Sequence, residues 1–348
     1  MAIERRRGSE GRAVDPLWIV VLAGGQGRRL EHFVRRVLGD TRPKQFCRII
    51  GRRSMLRHTW DRARRLVPAR RVVTVITNGQ ARFLAAAAGP RAIPGRVLVQ
   101  PADCGTGVAL CWPLLWIAHR QPDATVVVFP ADHFVWEEYR FLRHVAEAVN
   151  IARRQPDRLV LLGMEPDNPE TSYGWIKPGP PCPEVLPGRE CFTVQNFWEK
   201  PDRALARRLL ADGGLWNSGV MAGTVSAYLQ AVRRLHPETL DVLQAAASRC
   251  GTSAKQAAMA AAYQRVPRVD FSRDILAWGP DTLGVLPVRH LTWSDWGEPA
   301  RILDTVKRIG SQPAGLFARA VPSAGASPGP GTRERATRGR REVRRVGH

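Results

Sequence analysis

Four short apolar runs sit in the first part of the chain: LWIVVL at 17–22, VVTVIT at 72–77, VLVQ at 97–100 and TVVVF at 125–129. Each is too short for a buried helix, and each is too continuously apolar for a strand with one wet face. Runs of this kind predict strands covered on both sides. Helical patterns lie between and after them at about 54–66, 80–88, 106–119 and 139–154, with Ser54 placed to cap the first. A strand–helix alternation of this length predicts an α/β fold, a mostly parallel sheet flanked by helices. The second half is more mixed: strands are expected at Leu159–Gly163, Gly174–Lys177 and Phe192–Trp198, and helices at about 202–212, 225–235, 238–249 and 298–309. One domain over 17–310 follows, with a loose basic arm at 1–16 and a disordered basic tail at 311–348, where Pro, Gly, Ser, Ala and Arg dominate.

The formal charge is +22 over 348 residues. Such a value raises the question of nucleic acid, but the tail alone holds eight Arg against Glu334 and Glu342, and only five of the basic residues are Lys. No nucleic-acid recognition motif accompanies the charge, so no nucleic-acid partner is expected, and a basic fold equally suits a small anionic substrate. Six cysteines form no C-x-x-C and no Cys/His cluster of zinc spacing, which predicts free thiols in a reducing compartment. No apolar run approaches the roughly 20 residues of a membrane helix. No membrane partner and a cytoplasmic location are expected.

The first strand runs directly into LAGGQGRRL at 22–30. Ligands of open α/β sheets bind at the carboxyl ends of the strands, and this loop stands at such an end. Glycines let backbone N–H groups close on a phosphate or a flat base, and arginines grip phosphate oxygens. The loop is neither a P-loop, since no Lys-Ser or Lys-Thr follows, nor a dinucleotide fingerprint, since Leu30 takes the place of the third glycine. A plain strand–helix turn with surface arginines is the competing reading. Downstream stand RPKQF at 42–46, QPADCGTG at 100–107 and FPADH at 129–133, whose Asp132 ends an apolar strand and suits Mg²⁺. ETSYGWI at 170–176, FWEKP at 197–201, WNSGVM at 216–221 and WSDWG at 293–297 complete the series.

In this order the motifs resemble the sugar-1-phosphate nucleotidyltransferase family, most closely its bacterial mannose-1-phosphate guanylyltransferases. The resemblance runs from about Trp18 to Ile309. It implies the Rossmann-like nucleotide-diphospho-sugar transferase fold, here without the β-helix or isomerase domain of many relatives. It also implies roles. Ala23, Gly24 and Gly25 would lie along base and ribose, Gln100 would read the base edge, and Gly105 and Thr106 would pack near the nucleoside. Arg29 would hold the β- and γ-phosphates, and Lys44 would neutralise charge near the α-phosphate. Asp132 and Asp295 would share Mg²⁺. Gly174, Glu199, Lys200 and Asn217 would hold the sugar phosphate. Several segments depart from the family pattern: Arg28, the stretch from Glu31 to Arg42, Gly107 in GTG, DFSRDIL at 270–276, and Trp296 in SDWG.

The reaction implied joins a nucleoside triphosphate, GTP favoured, to a sugar 1-phosphate with release of pyrophosphate; GDP-mannose is the product expected first. The attacking phosphate is already anionic, so no Ser, Cys or His nucleophile is needed, and Arg29, Lys44 and Asp132 would carry catalysis by positioning and charge. A homo-oligomer is compatible with this reading. Competing readings are a transferase for another sugar 1-phosphate, a GT-A type glycosyltransferase and a non-catalytic sensor of nucleotide sugars. The geometry expected is specific: Asp132 and Asp295 at one end of the sheet, and Arg29 and Lys44 across the cleft from them. Each residue also has a bland role open to it: Asp295 as a cap for the last helix, Glu199–Lys200 as a surface ion pair, Asn217 and Ser218 as turn formers, His133 as a structural residue.

Overall fold

The computed structural model describes residues 16–39, 41–182, 190–249 and 253–310. The arm and tail expected at 1–16 and 311–348 fall outside these residues, apart from Pro16. Eleven strands occur among them: β1 Leu17–Leu22, β2 Val72–Thr77, β3 Arg96–Gln100, β4 Thr125–Pro130, β5 Phe134–Val135, β6 Leu159–Met164, β7 Gly174–Pro181, β8 Phe192–Glu199, β9 Leu215–Thr224, β10 Leu283–Val288 and β11 Trp293–Ser294. Nine form one sheet in the order β3-β2-β1-β4-β9-β6-β10-β8-β7, and β5 pairs with β11 in a separate ribbon.

The fold is α/β with a mixed sheet, as the sequence predicts, but parallel pairing is confined to β3-β2-β1-β4 and β6-β10 rather than prevailing throughout. Its parallel run is the first half, β3-β2-β1-β4. Alternate residues of β1 enter opposite cores: Trp18 and Val20 join one cluster, Ile19 and Val21 the other. Helices Gly105–Ala118, Val225–Leu235 and Pro237–Ser248 supply the first cluster; Met55–Arg64 and Glu138–Arg154 supply the second. This double cover is why the β1, β2 and β4 runs are apolar at nearly every position. Ser54 caps Met55–Arg64 as expected, accepting from the Arg57 N–H at 3.1 Å. Cys47, Cys111, Cys182 and Cys191 are buried free thiols, and Cys104 is half-buried.

Beyond β4 the sheet turns largely antiparallel. β9 pairs antiparallel with both β4 and β6 and so joins the two halves. Local composition marks WNSGVM as a turn, because Asn, Ser and Gly favour turns. Tertiary pairing overrides that preference. The Ser218 hydroxyl, fully buried, donates to the Leu162 carbonyl at 2.7 Å and so is satisfied inside the sheet. Ten-residue β9 also carries Asn217 into the sheet beside Gly163, where the β6–β9 register shifts. A methyl group at Gly163 would lie 2.8 Å from Leu215 Cδ1 and Val285 Cγ2 and 2.9 Å from Leu215 Cβ.

Gly163→Ala is therefore expected to destabilise the protein by about 1–3 kcal/mol through overpacking. Urea unfolding measures it; an unchanged midpoint would show that β9 and β10 yield without strain.

Candidate active site

The β5–β11 ribbon explains how two distant aspartates meet. Val135 pairs with Trp293 and Phe134 with Ser294. Asp132 precedes this ribbon and Asp295 follows it, so pairing the strands brings both carboxylates to the carboxyl end of β4. Both line one cavity of ≈ 320 Å³. Trp296, the unusual residue of SDWG, is buried and stacks on Phe134 with centroids 4.5 Å apart, which holds the segment after Asp295 in place.

Lys44 lies beneath them. Pro43 fixes the extended approach to a 3₁₀ turn at Lys44–Phe46, and the Lys44 side chain is only 5% exposed. Its ammonium pairs with Asp132 Oδ2 at 2.9 Å and donates to the main-chain carbonyl of Asp295. Arg29, in the first turn of helix Arg28–Leu38, reaches Asp295 Oδ2 at 3.3 Å and is 53% exposed. The expected placement of these cations across the cleft is thus corrected: both sit on the aspartates. The enclosed Lys44 ammonium needs a counter-charge, which Asp132 supplies, and the enclosed Asp295 carboxylate takes one from Arg29. The stretch Glu31–Arg42, unlike the family pattern, is mostly this helix.

Asp295 has further partners that sequence reasoning missed. Its Oδ1 accepts from the Tyr173 hydroxyl at 3.0 Å, the Gly297 N–H at 2.8 Å and Arg301 Nη1 at 2.7 Å. Arg301 also pairs with Glu170 at 2.8 Å and lies over the Tyr173 ring. Tyr173 and Glu170 sit in the ETSYGWI motif; Arg301, from helix Pro299–Arg308, carries no local signal at all. Asp295 does not cap that helix, whose cap position is Glu298. Burial alone would raise the Asp295 pKa, but the charges of Lys44, His133 and Arg301 and the Gly297 N–H outweigh it and hold the carboxyl at about 2. Burial likewise works against ionised Asp132, and Lys44 and His133 overcome it, so its pKa is lowered. His133 is pushed down by burial, partly offset by Asp132.

The glycine loop is anchored from the sheet side. Gln45 Nε2 donates to the Ala23 carbonyl at 2.6 Å and the Gly25 carbonyl at 2.8 Å; the Thr77 hydroxyl and Gln80 Nε2 donate to Gly24 at 2.9 and 3.1 Å. Gly24 has no room for a side chain, since a Cβ would lie 2.9 Å from Gln100 Nε2. Gly24, Gly25, Gln100, Gly105 and Thr106 line a second cavity of ≈ 370 Å³, which shares Leu22, Gly25 and Thr106 with the first. Ala23 is buried beneath the loop. Gly105 has φ +88° and, with Gly107, packs on the Val269 backbone, while the Thr106 hydroxyl accepts from the Phe271 N–H at 2.8 Å. The unusual GTG and DFSRDIL segments are therefore two sides of one contact.

Gly174, Glu199, Lys200 and Asn217 line the first cavity with Asp132 and Asp295. Gly174 and Glu199 are register partners on β7 and β8. A Cβ on Gly174 would lie 2.9 Å from Glu199 Oε2, so glycine leaves that carboxylate room. Glu199 Oε1 also pairs with Lys200 at 3.0 Å, and Lys200 is 58% exposed. Asn217 Oδ1 accepts from the Gly219 N–H, and its Nδ2 donates to Ser272 Oγ at 3.4 Å. Every site residue singled out in the sequence lines one of the two cavities, except Ala23 and Lys44, which support them from below.

Among the described residues no cluster of three or more His, Cys, Asp and Glu could hold a metal. Asp132 and Asp295 offer two hard carboxylates whose mutual repulsion is felt at Asp132. Such a pair suits a cation that takes its remaining ligands from water and phosphate oxygens.

Comparison with known proteins places the chain. The family model described as "Nucleotidyl transferase" matches residues 19–312. The chain belongs to the nucleotidyl transferase family. It is 34% identical over 230 residues to the xanthan biosynthesis protein XanB of Xanthomonas campestris pv. campestris (strain B100), covering 65% of this chain and 46% of that protein. It is 32% identical over 244 residues to a mannose-1-phosphate guanylyltransferase of Escherichia coli (strain K12), covering 68% of this chain and 48% of the relative. The chain thus spans about half the length of the curated relatives it matches. A Thermus thermophilus structure described as a mannose-1-phosphate geranyltransferase superposes with TM-score 0.68 at 26% identity, covering 85% of this chain and 79% of that one. No helix among the described residues is long and apolar enough to cross a membrane.

The depressed Asp295 pKa has a consequence for this family member's stability. Because the folded value lies below the unfolded one of 3.8, the stabilisation is complete well above 3.8 and is lost as pH falls toward 2. The stability gap between wild type and Asp295→Asn should narrow by about 1 kcal/mol between pH 5 and pH 3. Urea unfolding at both pH values checks this; a gap independent of pH would contradict the ionised, charge-held carboxylate.

Proposed function

We propose that the protein transfers a nucleoside monophosphate from a nucleoside triphosphate to a sugar 1-phosphate, with GTP and mannose 1-phosphate as the preferred pair. The observation that carries this reading is the shared wall of the two cavities. The glycine-loop cavity and the Glu199–Asn217 cavity meet at Leu22, Gly25 and Thr106, and Asp132 and Asp295 line the Glu199–Asn217 cavity. A nucleotide on one side and a sugar phosphate on the other would present their phosphates to each other at the paired carboxylates.

In the reaction, an oxygen of the sugar 1-phosphate forms a bond to the α-phosphorus and the bond from that phosphorus to the β-phosphate bridging oxygen breaks. Pyrophosphate leaves with the bond electrons. Nothing has to be deprotonated to make the nucleophile. The site's work is orientation and charge, the usual demand of phosphoryl chemistry. Arg29, exposed and bound to Asp295 only at 3.3 Å, is suited to move onto the polyphosphate. Lys44, held at Asp132, is suited to the α-phosphate region. Glu199 accepts from sugar hydroxyls, and Lys200 on its exposed stem meets the sugar phosphate. Mg²⁺, held by Asp132 and Asp295, would supply charge neutralisation and alignment of the phosphates.

The Escherichia coli relative named a mannose-1-phosphate guanylyltransferase supports the mannose and guanosine preference. A cytoplasmic setting is part of the same reading.

A panel of GTP, ATP, UTP, dTTP and CTP against mannose and glucose 1-phosphates, read by pyrophosphate release, tests the function. GTP with mannose 1-phosphate should give the highest kcat/KM. Preference for UTP or dTTP with glucose 1-phosphate would overturn the pair, and nucleotide binding without pyrophosphate release would favour a sensor.

A further inference from the structure

The glycine-loop cavity holds polar atoms that phosphate transfer does not use. Asp103, three residues past the end of β3, lines it, as does Arg268. One oxygen of Asp103 is tightly held: Oδ1 accepts from the Gly105 N–H at 3.1 Å and pairs with Arg268 Nη1 at 3.2 Å. Arg268 Nη1 also donates to the Asp103 main-chain carbonyl at 3.1 Å, which fixes the guanidinium against this turn. The second oxygen, Oδ2, has no partner among the described residues. Nearby on the same wall, Gln100 is buried, and its Oε1 is occupied by the Tyr263 hydroxyl at 3.0 Å. That leaves Gln100 Nε2, a donor, at the glycine loop. Leu22 and Ala109 supply apolar lining for a flat ring.

The wall therefore offers one oriented donor, from Gln100, and one oriented anionic acceptor, from Asp103. We propose that Asp103 is the residue that selects guanine, an assignment that rests on the reading of this site as a GTP-using transferase. Guanine presents O6 as an acceptor beside N1–H and N2–H₂ as donors. Gln100 Nε2 matches O6, and Asp103 Oδ2 matches the N–H groups. Adenine reverses both positions, with N6–H₂ against a donor and N1 against a carboxylate. Uracil keeps an acceptor and one N–H but sets its O2 where guanine has N2–H₂, against the negative oxygen. A carboxylate oxygen left facing another acceptor is repelled by it and loses a hydrogen bond, so the same wall that attracts guanine disfavours the other two bases. Arg268 is the positioning residue: its contacts go to Oδ1 and the backbone, which leaves Oδ2 available.

The test is Asp103→Asn, assayed with GTP and ATP at saturating sugar 1-phosphate. The amide oxygen can still accept from Gly105, while an NH₂ replaces the free carboxylate oxygen. The ratio of kcat/KM for GTP over ATP should fall about 10–100-fold, with the KM for the sugar phosphate unchanged. A variant that keeps the wild-type ratio overturns the role of Asp103 and leaves the transferase reading standing. A wild type that uses UTP or dTTP and not GTP overturns both. A second measurement needs no variant: calorimetry of wild-type protein should show GDP bound about 10-fold more tightly than IDP, which lacks only the N2 amine. Equal affinities would overturn the assignment.

Discussion

The ammonium of Lys44 is the interaction on which the site depends. It is nearly sealed from solvent, and it joins Asp132 Oδ2 to the main chain at Asp295. A buried ammonium is costly unless an anion meets it, and removing one partner of such a pair leaves an uncompensated charge. Lys44 therefore ties three segments that lie far apart in sequence: the turn after the glycine loop, the end of β4 and the end of β11. The parallel strands β1 and β4 place the first two side by side, and the short β5–β11 ribbon brings in the third. The glycine loop takes its position from the same turn, because Gln45, the residue after Lys44, holds the loop carbonyls of Ala23 and Gly25.

This arrangement leaves the site poised electrostatically. The surrounding cations overcome the effect of burial, lowering the pKa of Asp132 and holding that of Asp295 at about 2. Their cations are not equally committed. Lys44 is enclosed, whereas Arg29 is half-exposed and holds its partner at a longer distance. Under the proposed function an incoming polyphosphate would compete for Arg29 first and leave Asp295 Oδ2 open to a metal, while Tyr173, Gly297 and Arg301 hold Oδ1. The carboxylate is thus held by one oxygen and offered by the other.

Much of this was legible in the sequence, and the reasons differ by element. β1, β2 and β4 declare themselves because strands buried on both faces must be apolar throughout. β9 is hidden because its Asn, Ser and glycines describe a turn locally, and only pairing with β4 and β6 makes it a strand. Asp132 is visible from its place after an apolar strand. Asp295, Glu199 and Asn217 were found through the order of motifs, and their convergence follows from ribbon and sheet pairings that no local pattern encodes. Arg301 was missed because its role comes entirely from how the last helix packs. Arg29 and Lys44 were expected across the cleft from the aspartates and instead sit on them, because a sequence shows charges without showing which of them burial forces together.

The central claim is that Asp132 and Asp295 form a single cation site in the cavity that Gly174, Glu199, Lys200 and Asn217 also line. Anomalous scattering from crystals of the protein grown with Mn²⁺ and GDP-mannose tests it most directly. The geometry predicts a manganese peak at direct coordination distance, about 2.1 Å, from an oxygen of each aspartate, with phosphate oxygens completing the shell. A peak bound elsewhere, with Lys44 still bridging the two aspartates beside an ordered nucleotide sugar, would contradict it.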